Sequence, residues 1–346
     1  MTGVVEGIDT ARVGDWLARA VPGLVGPFGF ELIAGGRSNL TYRVTDATGR
    51  SVALRRPPVS HVLPTAHDMS REHTVLSALA PTPVPVPLTL ALCTDEAVNG
   101  APFFVMEFVE GHILRDDRTA AELDEEARHT AGRSLVETLA ALHRVDVEAV
   151  GLGGFGRHEG YIARQLKRWH GQFEQSTVDG VAGPAVVDRV HRALAATVPD
   201  QQGVTVVHGD YRLDNTVLDD RGRVRAVLDW EICTLGDPLA DLGLLLVYWT
   251  EADEDDGALL GVTPTKLAGF PDRSQLTDWY AAASDRDLSA LPYYKAFGYW
   301  KLACILQGVT ARYAGGAAAG DRTDVEHFAQ QVDLLGERAL SEVESL

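Results

Sequence analysis

The stretch from Val204 to Trp230 reads VTVVHGDYRLDNTVLDDRGRVRAVLDW, and its polar letters fall where apolar runs stop. Val204 to Val207 lead into His208-Gly209-Asp210, the text passes on to Asn215, a hairpin turns at Asp219-Asp220-Arg221-Gly222, and the next apolar run ends at Asp229. Two carboxylates and one amide therefore arrive at strand ends. Phosphoryl transfer needs such a set: one carboxylate to orient an acceptor hydroxyl and take its proton, and an amide oxygen plus a second carboxylate to hold Mg²⁺ against nucleotide phosphates. Asp210, Asn215 and Asp229 fit those roles in that order. The bland alternative is that they are turn residues with Asx caps.

His208 to Asn215 resembles the Brenner motif, HGDxxxxN, of the aminoglycoside phosphotransferase and choline kinase group, the small-molecule branch of the protein-kinase-like fold. Asp229 stands where that group has its metal-binding Asp, and Gly236-Asp237-Pro238-Leu239-Ala240-Asp241-Leu242 is similar to its GDPxxDL segment. The resemblance implies that Asp241 begins a helix and hydrogen-bonds the catalytic loop instead of touching substrate. It also implies ATP, or GTP in its place, with Mg²⁺, and a small hydroxylated acceptor.

The N-terminal third carries matching features. Gly35-Gly36-Arg37-Ser38-Asn39 lies between two alternating runs, and Gly35, Gly36, Ser38 and Asn39 are small enough to lay backbone N–H groups over phosphates. In Ser51-Val52-Ala53-Leu54-Arg55-Arg56, Arg55 falls where protein-kinase-like sequences have the Lys of VAIK, with Glu72 on the next helix as its ion-pair partner. The departure is enforced, because the four Lys residues are 167, 266, 295 and 301. Arg keeps the charge and adds a planar fork, but it is longer and differently directed. Arg56 points the other way. LRRPP, the REH of the next helix and HGDYRLDN together resemble acyl-CoA-dehydrogenase-associated phosphotransferase domains. Phe103 to Val109 resembles the strand and hinge that meet adenine through backbone groups of Glu107 and Val109. Arg212 could stabilise the transferring phosphate or brace the loop through Asp214; both readings stand.

The elements that must position these residues follow from periodicity. A helix over 9–21 precedes three short antiparallel strands between 28 and 54; a helix over 70–79, capped by Ser70, and strands at 88–93 and 103–109 complete a five-stranded sheet. Helices are then expected at 120–143, 160–176, 184–197, 238–250, 274–284, 292–313 and 323–344, with short strands at 205–207, 216–218 and 224–228. The fold class is α+β and bilobal: a nucleotide-binding lobe over 1–107 and a catalytic and acceptor-binding helical lobe over 108–346.

The formal charge over 346 residues is −18, from 31 Lys plus Arg against 49 Asp plus Glu. That argues against nucleic acid or an anionic membrane surface as partner, since both are held by clustered cations. Residues 1–107 carry −2 and residues 108–346 carry −16, so a cationic acceptor would be drawn to the helical lobe. Hydroxyacyl-CoA is the anionic alternative, with Arg164, Lys167 and Arg168 as local cations. Three scattered cysteines and an acidic N-terminus without a basic, apolar leader fit a cytoplasmic protein. Gly151 to Gly156 spells GxGxxG, but a helical pattern precedes it where the dinucleotide fingerprint needs a strand. Tyr293, Tyr294, Phe297, Tyr299, Trp300 and Tyr313 could line an acceptor pocket or fill the core. A non-catalytic nucleotide-binding module is the competing class. Oligomeric state leaves no trace in the sequence.

Overall fold

A computed structural model of the chain describes residues 5–34, 39–59, 68–176, 183–254, 264–314 and 322–346. It divides into two compact units, Met1–Gly111 with Arg225–Glu231, and His112–Val224 with Ile232–Leu346.

The first unit runs α1 (Thr10–Ala20), β1 (Gly29–Ala34), β2 (Leu40–Thr45), β3 (Ser51–Arg56), α2 (Met69–Leu79), β4 (Thr89–Cys93), the single turn α3 (Glu96–Asn99) and β5 (Phe103–Glu107). The strands form one antiparallel sheet in the order β1-β2-β3-β5-β4. Alternation explains its two faces. Val52 and Leu54 of β3 join Tyr42, Val44, Phe103 and Val105 against Val13, Leu17 and Val21 on and just after α1, each such burial contributing about 1.5–3 kcal/mol. Arg55, opposite Thr41 and Phe104 in the register, faces away from that core. Arg56 follows Leu54 to the α1 side and donates to the Gly7 carbonyl, so the two arginines diverge as alternation requires. The cap of α2 differs from the expected one: Asp68 accepts from the Ser70 and Arg71 N–H groups at 2.9 and 3.2 Å. A carboxylate favoured by the helix's positive end takes the cap position, and Ser70 falls inside the first turn.

The second unit is mainly helical: α4 (Asp117–Ala120), α5 (Glu125–His143), α6 (Tyr161–Gln175), α7 (Ala185–Ala196), α8 (Leu239–Tyr248), α9 (Arg273–Ala283), α10 (Leu291–Ala314) and α11 (Arg322–Glu344). Its chain also includes β6 (Thr205–Val207), β7 (Thr216–Leu218), β8 (Val224–Val227), which passes into the first unit at Arg225, and β9 (Thr234–Gly236). The helix expected over 120–143 is interrupted, because Asp116 and Thr119 close a capping box on α4 and Asp124 starts α5 afresh by accepting from Ala127 N at 2.8 Å. β9 was not expected. Three residues are too few to show alternation, and pairing with β6 alone defines it.

Helix α8 is buried from Leu239 to Val247, as an uninterrupted apolar run in a core helix should be. Gly243 lets it approach α10: a Cβ there would lie 2.6 Å from the Tyr294 backbone carbonyl. Tyr293, Tyr294, Phe297, Tyr299 and Trp300 are buried, with the Tyr294 hydroxyl on Asp237 at 2.6 Å and the Trp300 indole N–H on the Val187 carbonyl at 3.0 Å. Those five aromatics are core. The GxGxxG letters follow α5 and lead to α6, outside the strand context that a dinucleotide needs. Among the described residues, no helix is long and apolar enough to cross a membrane.

Candidate active site

In the second unit β6 delivers His208-Gly209-Asp210 into a loop held from several sides. Asp241, in the first turn of α8, accepts the His208 N–H at 2.7 Å and the Gly209 N–H at 2.8 Å on its two oxygens. Burial alone would raise the Asp241 pKa; the His143 imidazole 3.4 Å away and the donors from the loop hold it below the usual carboxylate range. His143 is itself buried, which lowers its pKa, and its other ring nitrogen meets the Tyr280 hydroxyl at 2.8 Å. Gly209 adopts φ +87°, where a Cβ would also stand 3.2 Å from the Ile232 side chain, so only glycine suits the turn. Lys301 of α10, buried, donates to the Gly209 carbonyl at 2.8 Å and lies 5.7 Å from the centre of the Trp169 ring. Both peptide groups before Asp210 are thus fixed.

Asp210 is braced in turn. Asn215 Nδ2 donates to the Asp210 carbonyl at 2.8 Å and to its Oδ2 at 3.1 Å. The Tyr248 hydroxyl donates to Oδ1 at 3.1 Å. Arg212 pairs with Asp214 at 2.8 Å, lies 3.5 Å from Asp210 Oδ2 and stacks over the Tyr248 ring at 4.7 Å. The loop-bracing geometry is present at Arg212. With its amide nitrogen spent on Asp210, Asn215 leaves Oδ1 without a hydrogen bond among the described residues. A neutral oxygen placed so is a suitable hard ligand for Mg²⁺.

In the first unit the Arg55 guanidinium is the centre of a buried cluster. Its Nε meets Glu72 at 2.9 Å, one terminal nitrogen pairs with Asp229 and lies 3.6 Å from Glu231, and the other reaches Thr41 Oγ1 at 3.4 Å. Burial would lower the Arg55 pKa, but Glu72, Asp229 and Glu231 outweigh it and keep the group charged. Glu72 responds oppositely: burial pushes its carboxyl up to about 7 against the pull of Arg55. It also accepts the Trp230 N–H at 3.3 Å. Among the described residues, Asp229 is the one non-glycine residue at positive φ, +63°, a backbone state that Asp tolerates better than most and that persists where surroundings impose it. Three carboxylates share one guanidinium, and Asp229 is the most exposed of them; among the described residues no three His, Cys, Asp or Glu side chains are grouped so as to hold a metal ion.

Gly35, Gly36 and Ser38 lie outside the described residues. Asn39 is buried just before β2. Glu107 ends β5 and its N–H donates to the Leu88 carbonyl at 2.8 Å, so an adenine edge meeting this residue would use its carbonyl. Val109 follows in a half-buried loop. Sequence reasoning missed Glu231, Tyr248 and Lys301. Lys301 had a signal, one of two cations, with Lys295, inside the otherwise apolar text YYKAFGYWKLACIL; Tyr248, ending an apolar helix, had none.

The five-stranded antiparallel sheet with its helix, the helical unit and a catalytic-type HGD loop define the protein-kinase-like fold of small-molecule phosphotransferases. The chain belongs to the phosphotransferase enzyme family, whose family model matches residues 29–275. It is 33% identical over 345 residues to acyl-CoA dehydrogenase family member 11 of Gallus gallus, covering 96% of this chain and 43% of that protein. The chain therefore spans less than half the length of such relatives. A solved Ralstonia eutropha protein, assigned as an aminoglycoside phosphotransferase, superposes with a TM-score of 0.81 at 31% identity, covering 97% of this chain and 98% of its own. The fold is shared with choline kinase from Cryptosporidium parvum, at a TM-score of 0.65, 12% identity and coverage of 98% and 96%. It is shared too with an ADP-bound aminoglycoside phosphotransferase, at 0.62, 11%, and 96% and 99%.

Proposed function

We propose that the chain transfers the γ-phosphoryl group of ATP to a hydroxyl of a small molecule, with Mg²⁺ as cofactor. The single observation that carries this reading is the braced loop: Asp210, partly exposed, is held by Asn215 and by peptide groups anchored to Asp241 and Lys301. A carboxylate so fixed can orient an incoming hydroxyl and accept its proton as the oxygen–phosphorus bond forms. Asn215 Oδ1 and the Asp229 carboxylate would hold the ion, which neutralises phosphate charge when bound. Arg55, kept in place by Glu72, would grip phosphate oxygens with the donors that it now lends to carboxylates. Arg212 would add positive charge beside the transferring group. Gly35, Gly36, Ser38 and Asn39 would cover the phosphates, and the backbone of Glu107 and Val109 would meet the base; GTP could serve in place of ATP. The lobes assigned to nucleotide and acceptor are residues 1–107 and 108–346, and the location is cytoplasmic.

A second reading names the acceptor as a hydroxyacyl-CoA. A cleft of about 490 Å³ on α6 is lined by Arg164, Lys167, Arg168, Gly171, Gln172 and Gln175, a cationic and amide-rich surface suited to phosphates within an acidic unit. The relatives named acyl-CoA dehydrogenases favour the same acceptor. An aminoglycoside-like cation remains the alternative, drawn by the charge of −16 over residues 108–346. The competing class, a non-catalytic nucleotide-binding module, predicts binding without turnover.

An ADP-release assay across thioester, metabolite and aminoglycoside acceptors decides. Acceptor-dependent, saturable release that Asp210→Asn lowers by about 10²–10⁴, the range for a general base, with nucleotide affinity kept, is the expected result. A fully active Asp210→Asn protein refutes the assignment.

A further inference from the structure

Both carboxylate oxygens of Asp210 are engaged, and one of them by an unusual partner. Oδ2 accepts from Asn215 at 3.1 Å, while Oδ1 accepts the Tyr248 hydroxyl at 3.1 Å. An O–H on Oδ1 is the contact that an acceptor alcohol, or a water, has to make before it can attack phosphorus. Tyr248 is the last residue of α8, and Arg212 lies over its ring at 4.7 Å. Burial, and then Asp210 itself, push the Tyr248 pKa far above its ordinary range, so the phenol keeps its proton and remains a donor. Tyr248 also borders a cavity of about 60 Å³, lined among others by Leu245, Trp249, Arg115 and Asp214. The packing around Tyr248 is therefore not complete on every side.

A phosphotransferase works in water, a competing nucleophile present at far higher concentration than any metabolite. If water reached Asp210 beside a bound nucleoside triphosphate, its oxygen would attack the γ-phosphorus and its proton would pass to Asp210. The bond from that phosphorus to the β–γ bridging oxygen would break, giving nucleoside diphosphate and inorganic phosphate. We infer that Tyr248 is a positioning residue that guards against this hydrolysis: its hydroxyl occupies Oδ1 until an acceptor with binding contacts of its own displaces it. Water, which brings no further contacts, gains nothing by exchanging with the phenol. The inference rests on the phosphotransferase reading above.

The experiment needs only ATP and Mg²⁺, with no acceptor. Tyr248→Phe keeps the ring beneath Arg212 and removes the hydroxyl; its acceptor-free release of phosphate should rise about ten- to hundredfold over wild type, the range that one hydrogen bond to a charged group is worth. The rise should vanish in the double variant Tyr248→Phe with Asp210→Asn, and nucleotide affinity should not change. Tyr248→Leu, which also removes the ring platform, should raise hydrolysis in the same direction. A folded Tyr248→Phe protein that binds nucleotide and hydrolyses it no faster than wild type overturns the guard alone. A rise that survives Asp210→Asn overturns it as well, because water is then not being activated at Asp210. Failure of the wild type to bind nucleotide overturns the phosphotransferase reading, and the guard with it.

Discussion

By resemblance to protein-kinase-like sequences Arg55 stands in for a lysine, and its surroundings explain why such an exchange is not neutral. Its side chain spans Glu72 on α2 and both Asp229 and Glu231. An ammonium has three donors on a single nitrogen and cannot span carboxylates that meet separate nitrogens of the guanidinium. Arg55→Met should destabilise the protein by about 3–5 kcal/mol, the cost of leaving buried charges uncompensated. Arg55→Lys should recover part of that loss while binding nucleotide more weakly than wild type. Denaturant titration and nucleotide binding check both; a Met variant as stable as wild type would mean that Arg55 does not hold the cluster. At this scale the sequence was legible wherever residue type and spacing carry chemistry: Asp210, Asn215, Asp229, Arg55 and Glu72 each announce themselves by motif. Tyr248 did not, since nothing local distinguishes a tyrosine that donates to a loop carboxylate from one that packs.

The turn between β2 and β3 shows how an element is stabilised by one side chain. Asp46 Oδ1 accepts from the Thr48 hydroxyl at 2.6 Å and from the Thr48 and Arg50 N–H groups, while Oδ2 accepts the Val25 N–H at 3.2 Å. Led by the Thr48 hydroxyl and opposed by burial, these donors bring its pKa down to about 2 from an ordinary 3.8. The sign follows from linkage: the unfolded chain binds the proton more readily, so the contribution is complete above about pH 4 and is lost as pH falls from there through 2. The Tm advantage of wild type over Asp46→Asn should therefore narrow across that window, as thermal melts at successive pH values would show; a constant gap would remove the assignment. The larger helices were readable, α5 from its apolar spacing and α8 and α10 from their long apolar runs. Of the short ones, β6 and β7 fall where the sequence put them, but two were hidden: β9 exists through pairing with β6, and α4 through a capping box that a single apolar stripe conceals.

Charge is the property that belongs to the whole molecule. The balance of −18 argues against classes of partner but is silent on activity, and dividing it along the chain leaves −16 to residues 108–346. Against that field the cations of α6, Arg164, Lys167 and Arg168, form a local exception at a cleft. The two acceptor classes consequently respond to salt in opposite directions. A polycation is steered by the general field, which is screened beyond about 8–10 Å at ionic strengths of 0.1–0.15 M, so its kcat/KM should fall, by about tenfold between low and moderate salt. An anionic thioester is repelled by the same field at a distance and held only by close contacts. Its kcat/KM should stay level or rise over that range, and Lys167→Glu should lower it without affecting a cationic acceptor. Initial rates at several salt concentrations, with saturating nucleotide, measure both slopes. A thioester whose kcat/KM falls as steeply as a polycation's would show that the α6 cleft, not the general field, dominates its encounter; one indifferent to Lys167→Glu would show that its phosphates bind elsewhere.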